Sequence, residues 1–70
     1  MIPSLVYDAA VDAACIYLVV PREAMVAYTI EAVEKTILLD FDKEDHLISI
    51  EVLGARSVLA AETLSAASRR

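Results

Sequence analysis

The 70-residue chain holds only one cysteine, one glycine, one histidine and two prolines. A lone cysteine, Cys15, excludes an internal disulfide, and no cluster of Cys and His suggests a structural metal. Long apolar runs are also missing. The longest uncharged one, residues 13–20, is far too short to cross a bilayer as a helix. The first residues lack a basic region, and Asp8 and Asp12 interrupt the apolar stretch, so no export signal is read. An unpaired cysteine suits a reducing compartment, and the expectation is a cytoplasmic protein with no membrane partner. Clustered positive charge is lacking too. Arg22, Lys35, Lys43 and Arg56 stand alone, only Arg69 and Arg70 are adjacent, and the net charge is −5. Nucleic-acid affinity rests on clustered Lys and Arg, so no nucleic-acid partner is expected.

What is present is aliphatic. Hydrophobic residues make up 59% of the chain, and only three tyrosines and one phenylalanine are aromatic. A chain this short forms one domain, residues 1–70, and buries only about 60% of the surface its unfolded form exposes. Ordering costs roughly 1.5 kcal/mol per residue, which nearly cancels the hydrophobic gain of so small a core. The apolar content exceeds what one small core can hide. Self-association, most simply a homodimer, is therefore expected, with the acidic surface available to a basic protein partner.

The segment 4–7 is β-prone. Asp8 follows as a candidate N-cap, and residues 9–13 fit a short helical turn. Residues 14–20 read as a buried strand stopped by Pro21. Residues 25–32 alternate, with Val26, Tyr28 and Ile30 on one side, which argues for a strand. The stretch 23–35 is also rich in helix formers, a rival reading. The clearest element is a hairpin over 36–53. With a two-residue turn at Glu44-Asp45, Phe41 faces Ile48, Leu39 faces Ile50 and Ile37 faces Val52, so all six share one wall. A one-residue slip would mix apolar and polar side chains on each face. Asp40 then opposes Ser49, Leu38 opposes Glu51, and Asp45 needs a left-handed backbone. Leu38, Leu47 and Leu53 are left over as candidate interaction residues. Gly54 ends the hairpin, and Ser57 can cap a final helix over 58–67, with Arg69 and Arg70 at its C-terminal end.

Three stretches carry a resemblance: Tyr7-Asp8-x-x-x-Asp12-Ala13-x-x-Ile16-x-Leu18, Ile37-Leu38-Leu39-Asp40-Phe41-Asp42, and Leu47-Ile48-x-Ile50-Glu51-Val52-Leu53-x-Ala55. In this order and spacing the chain resembles the family called domain of unknown function 2283, over roughly residues 4–57. The family typically has Asp-Gly at the hairpin turn, Gly at the place of Ser49 and Tyr at that of Cys15, and this chain departs at all three. The resemblance implies a compact sheet with a flanking helix and no established activity. Some members are encoded beside small toxin-like proteins, which makes an antitoxin-like role an analogy.

Three constellations bear on chemistry. Asp40, Asp42, Glu44 and Glu51 have the 1, 3, 5, 12 spacing of a calcium loop. Its sixth position is Asp45 where a sharp turn needs Gly, and its flanks read as strands. A solvated turn is therefore expected, with Asp40, Asp42 and Glu51 as the candidate cation ligands. Asp8 and Asp12, four apart beside Tyr7, could form an acid–base pair, but no His, Lys or Cys nearby completes a site. A capped turn explains Tyr7, Asp8 and Asp12 as a structural motif. Cys15 and His46 could be written as a nucleophilic pair. Cys15 lies in an apolar strand, where a thiol is inert.

The reading is thus an α+β fold: an antiparallel sheet of about five strands with a C-terminal helix. The expected core is Ile16, Leu18, Val26, Ile30 and the six wall residues. The expected function is non-enzymatic self-association and protein interaction, with no cofactor. The alternative is a small-ligand or metal-binding protein using the acidic hairpin or the Asp8/Asp12 pair.

Overall fold

The computed structural model describes residues 2–70. It is an α+β chain of six strands and two short helices. In chain order these are β1 (Ser4–Asp8), β2 (Ala13–Tyr17), β3 (Tyr28–Val33), β4 (Ile37–Phe41), β5 (Leu47–Leu53), α1 (Ala55–Val58), α2 (Ala61–Ala66) and β6 (Ser68–Arg69). The strands form one sheet in the order β3-β4-β5-β2-β1-β6. All pairings are antiparallel except β1 with β6.

The central hairpin follows from its alternation of apolar and polar residues. Ile37 opposes Val52, Leu38 opposes Glu51, Leu39 opposes Ile50 and Asp40 opposes Ser49, the pairs that pattern demands. One pair is corrected: Phe41 opposes Leu47, not Ile48. The loop has three residues rather than two. Asp42 N–H donates to the His46 carbonyl at 3.0 Å and Asp45 N–H to the Asp42 carbonyl at 3.1 Å. Asp45 sits in the left-handed region at φ 66°. The longer loop shifts the pairing by one residue, and a bulge between Asp40 and Phe41 restores it. Ile48 is the extra residue. It is buried away from its expected wall, lining a small cavity with Val19, Met25, Ala27 and Asp42.

The remaining boundaries depart from expectation for local reasons. β2 ends at Tyr17, and Leu18 makes one more bond, to the Ile48 carbonyl at 2.9 Å, before the chain leaves the sheet. The strand expected over 25–32 is Tyr28–Val33. Residues 9–12 form a turn, closed by Asp12 at φ 52°, rather than a helical turn. The expected 58–67 helix is two pieces. Leu59 and Ala60 are extended, with ψ 146° and 149°, and Gly54 at φ 64° starts α1 where Ser57 was the expected cap. The break lets Leu59, Leu64 and Ala67 all pack on the core of Tyr7, Ala14, Val52 and Ala55. Arg69 and Arg70 do not close a helix. Arg69 belongs to β6, and Arg70 N–H donates to the Tyr7 carbonyl at 3.1 Å.

The helices therefore cover only the β1–β2–β5 end of one sheet face. On that same face Ile37, Leu39, Phe41, Ile50 and Ile16 are half-buried, and Leu18 is too. Val26 and Ile30, expected in the core, are exposed at 44% and 48%. Nothing among the described residues is packed over them.

Candidate functional site

The opposite face carries a cleft of about 270 Å³, mostly apolar in its lining but with a polar floor. Its floor comes from three neighbouring strands: Asp40 of β4, Ser49 and Glu51 of β5, and Cys15 and Tyr17 of β2. Met25 and Val26 line it from the connection between β2 and β3. That connection is pinned where Ala27 N–H donates to the Phe41 carbonyl at 2.8 Å.

Asp40 is only 2% exposed, unusual for a carboxylate unless it is bonded. Its Oδ2 accepts from the Ser49 hydroxyl at 2.7 Å and its Oδ1 from the Thr29 hydroxyl at 2.8 Å. Asp40 is paired across to Ser49, and Glu51 lies two residues further along β5. The Glu51 pKa is pushed up to about 7, first by a hydrogen bond to the Asp40 carboxylate, then by burial, then by the Asp40 charge. Losing the Glu51 proton would set a second negative charge beside Asp40. Cys15 lies directly opposite Glu51. Burial pushes its thiol pKa up, the Tyr17 hydroxyl pulls the other way, and the Glu51 and Asp40 charges push it higher. His46 precedes β5, five residues from the Glu51 that Cys15 opposes and about 16 Å away at the rise of a strand, so Cys15 and His46 do not form a nucleophilic pair.

The structure separates the candidate cation ligands. Asp40 and Glu51 meet in the cleft, whereas Asp42 caps the hairpin loop. Its Oδ1 accepts from the backbone N–H of Glu44 and of His46, both at 2.9 Å. Those bonds, the His46 one foremost, lower its pKa against a smaller effect of burial. Among the described residues, the ligand-type side chains that converge are Asp42, Glu44 and His46, with Glu44 and His46 exposed. The three sit in an open, solvated loop with ligand atoms within 4.8 Å of one another.

Asp8 and Asp12 are engaged separately. Asp8 accepts from Ala10 N–H at 3.0 Å. Asp12 accepts from the Tyr7 hydroxyl at 2.9 Å and the Arg56 N–H at 3.0 Å, with the Arg56 guanidinium at 3.6 Å. The Arg56 backbone bond is the main cause of its lowered pKa. Arg69 stacks on the Tyr7 ring, 5.1 Å from its centre. This group ties the β1–β2 turn to α1 and β6. Of the leftover leucines, Leu38 is half-buried beside Glu51, Leu47 is half-buried opposite Phe41, and Leu53 is exposed. Sequence reasoning grouped Asp40 with Glu51, and the cleft brings those two together. It missed Arg70, whose guanidinium donates to the Tyr17 hydroxyl at 3.1 Å and which had no local signal.

The chain is thus a small α+β protein with a cleft holding Asp40 and Glu51 on one face of a mostly antiparallel sheet. Over residues 5–56 it matches the family described as "Protein of unknown function (DUF2283)", and it belongs to that family. No curated protein and no solved structure matches it. No helix among the described residues is long and apolar enough to cross a membrane.

Proposed function

We propose that the chain is a non-enzymatic protein-interaction module that associates with a second copy of itself. The observation that carries this reading is the distribution of exposure. Every residue of β3 is exposed, and the buried hydrophobic residues among those described are only Tyr7, Ala14, Ile48, Val52 and Ala55. In a chain that is 59% hydrophobic, that leaves much apolar surface in water. Tyr28, Ile30 and Val33 of β3 are large and exposed along one margin of the sheet, and Val26 is exposed in the connection before it. A second copy that covers them supplies the burial a small domain lacks. The net charge of −5 favours a basic protein as a further partner, in line with the antitoxin-like analogy. The raised thiol pKa and the distance of His46 from it support a role without catalysis. Light scattering across the micromolar range tests the reading. A mass twice that of the chain is expected, and a stable monomer throughout contradicts it.

A second reading has its own observation. The cleft holding Asp40 and Glu51 is just below the size of ordinary ligand pockets, so it suits a small cationic ligand that replaces the Glu51 proton. Titration calorimetry with calcium and with small organic amines, above the Glu51 pKa, tests it. A saturable heat lost in Glu51→Gln supports the site, and no heat removes it.

A further inference from the structure

We infer that β3 is the seam of the dimer. Two copies pair antiparallel through their β3 edges about a two-fold axis at Ile30, with Thr29 of each copy bonded to Glu31 of the other. The inference rests on the self-association proposed above and names the atoms that make it.

The two margins of the sheet differ. The β6 margin is two residues long and carries an arginine, which blunts it. The β3 margin runs six residues, Tyr-Thr-Ile-Glu-Ala-Val, with neither proline nor lysine, and every residue is exposed. Natural sheets block such edges with Lys, Pro, charge or cover. Here a single acidic residue and a bulge between Glu31 and Val33 are the only such devices.

The backbone groups that face outward follow from the ladder. In an antiparallel sheet, successive residues turn their N–H and C=O to alternate neighbours. Leu53 N–H donates to the Thr36 carbonyl at 2.8 Å, so Thr36, Leu38 and Asp40 turn toward β5. Ile37, Leu39 and Phe41 then turn toward β3, where Leu39 opposes Ile30 and Phe41 opposes Tyr28. Tyr28 and Ile30 spend their backbone groups inward. Thr29 and Glu31 present theirs to solvent, two donors and two acceptors in a row.

Charge and pairing select the register. An axis at Glu31 would set two carboxylates opposite one another, which is unfavourable. An axis at Thr29 pairs only Thr29 with its own copy and places Glu31 against residue 27, outside the strand. An axis at Ile30 pairs each Thr29 with the partner's Glu31 and makes four backbone hydrogen bonds. It also packs Ile30 on its own copy and keeps like charges apart. The bulge begins just past the paired residues, so it ends the seam without breaking it. Both helix-bearing faces then lie on the same side. The uncovered Ile30, Leu39 and Phe41 of each copy become one continuous apolar strip.

Two variants test the register and one controls for folding. Ile30 opposes its copy in a non-hydrogen-bonded pair, with Cα atoms about 4.5 Å apart. That is within the reach of a disulfide, about 4.4–6.8 Å. In a Cys15→Ala background, Ile30→Cys is expected to give a covalent dimer under mild oxidation. Thr29→Cys, whose copies lie diagonally on the order of 8 Å apart, is expected to stay uncrosslinked. Thr29→Pro removes the outward donor along with the hydroxyl bond to Asp40, and is expected to halve the mass in solution while the far-ultraviolet spectrum keeps its strand signal. Thr29→Ala loses the hydroxyl bond to Asp40 but keeps the donor, and is expected to stay dimeric. A native dimer in which Ile30→Cys fails to crosslink overturns the seam and leaves self-association standing. A native monomer overturns both. Should Thr29→Pro fail to fold, the crosslinking pair decides alone.

Discussion

Glu51 and Asp40 sit diagonally across the central hairpin, and the Glu51 carboxyl holds a proton up to about pH 7 because Asp40 accepts it. In the unfolded chain the same carboxyl lets go near its ordinary value of 4.5. Between those values the native state binds more protons, so its stability falls as pH rises. The Glu51 contribution is fully present below about 4.5 and gone above about 7. Asp12 and Asp42 act in the opposite sense. Their lowered pKa values give stability that is present above the ordinary 3.8 and lost as acid protonates them. Urea midpoints at fixed protein concentration are therefore expected to peak between these limbs and decline toward neutrality. Glu51→Gln, which donates to Asp40 at any pH, is expected to flatten the decline. A wild-type midpoint that climbs steadily to neutral pH would contradict the raised Glu51 pKa.

Lys35 is exposed and left-handed at φ 59° between β3 and β4. Its backbone N–H donates to the Glu31 carboxylate at 3.1 Å, a bond that needs no side chain at position 35. Relief of the left-handed strain exceeds the added freedom of the unfolded chain, so Lys35→Gly is expected to stabilise by about 0.5–1 kcal/mol. Denaturant unfolding measures it, and a loss of stability would show that the Lys35 side chain has an unrecognised partner.

Val52 is 2% exposed at the centre of the one packed cluster. Its truncation to alanine removes two methyl groups from the place where β5, β2 and the helices meet. Val52→Ala is expected to destabilise by about 2–3 kcal/mol, a large part of the margin of a domain this small. The same change at Ile30, exposed in one copy, is expected to leave the fold of the single chain intact and to weaken its association instead. Calorimetric unfolding across a concentration series separates the two effects.

The Ile37–Val52 and Leu39–Ile50 pairs were legible because only one register keeps apolar residues together. The Phe41–Ile48 pair was not. Asp45 accepts a left-handed backbone in a two- or a three-residue loop alike, and the bulge at Ile48 erases the difference within a few residues. β6 gave no signal, since two residues have no period, and its place beside β1 follows from where α2 ends. The break at Leu59 and Ala60 was hidden because their types suit a helix, while packing on Tyr7 and Val52 needs the kink. For the cleft, the alternation placed Asp40 beside Ser49, but its burial depends on how the connection through Met25 and Val26 lies over the sheet. Long-range placement of that kind leaves no local pattern.

Amide exchange at Thr29 and Glu31 probes the seam without altering the molecule. If β3 is paired with its own copy, both amides are expected to exchange slowly at high concentration and to speed up on dilution, as Ile30 stays protected throughout. Fast exchange at Thr29 and Glu31 at every concentration would show an open edge and contradict the dimer described here.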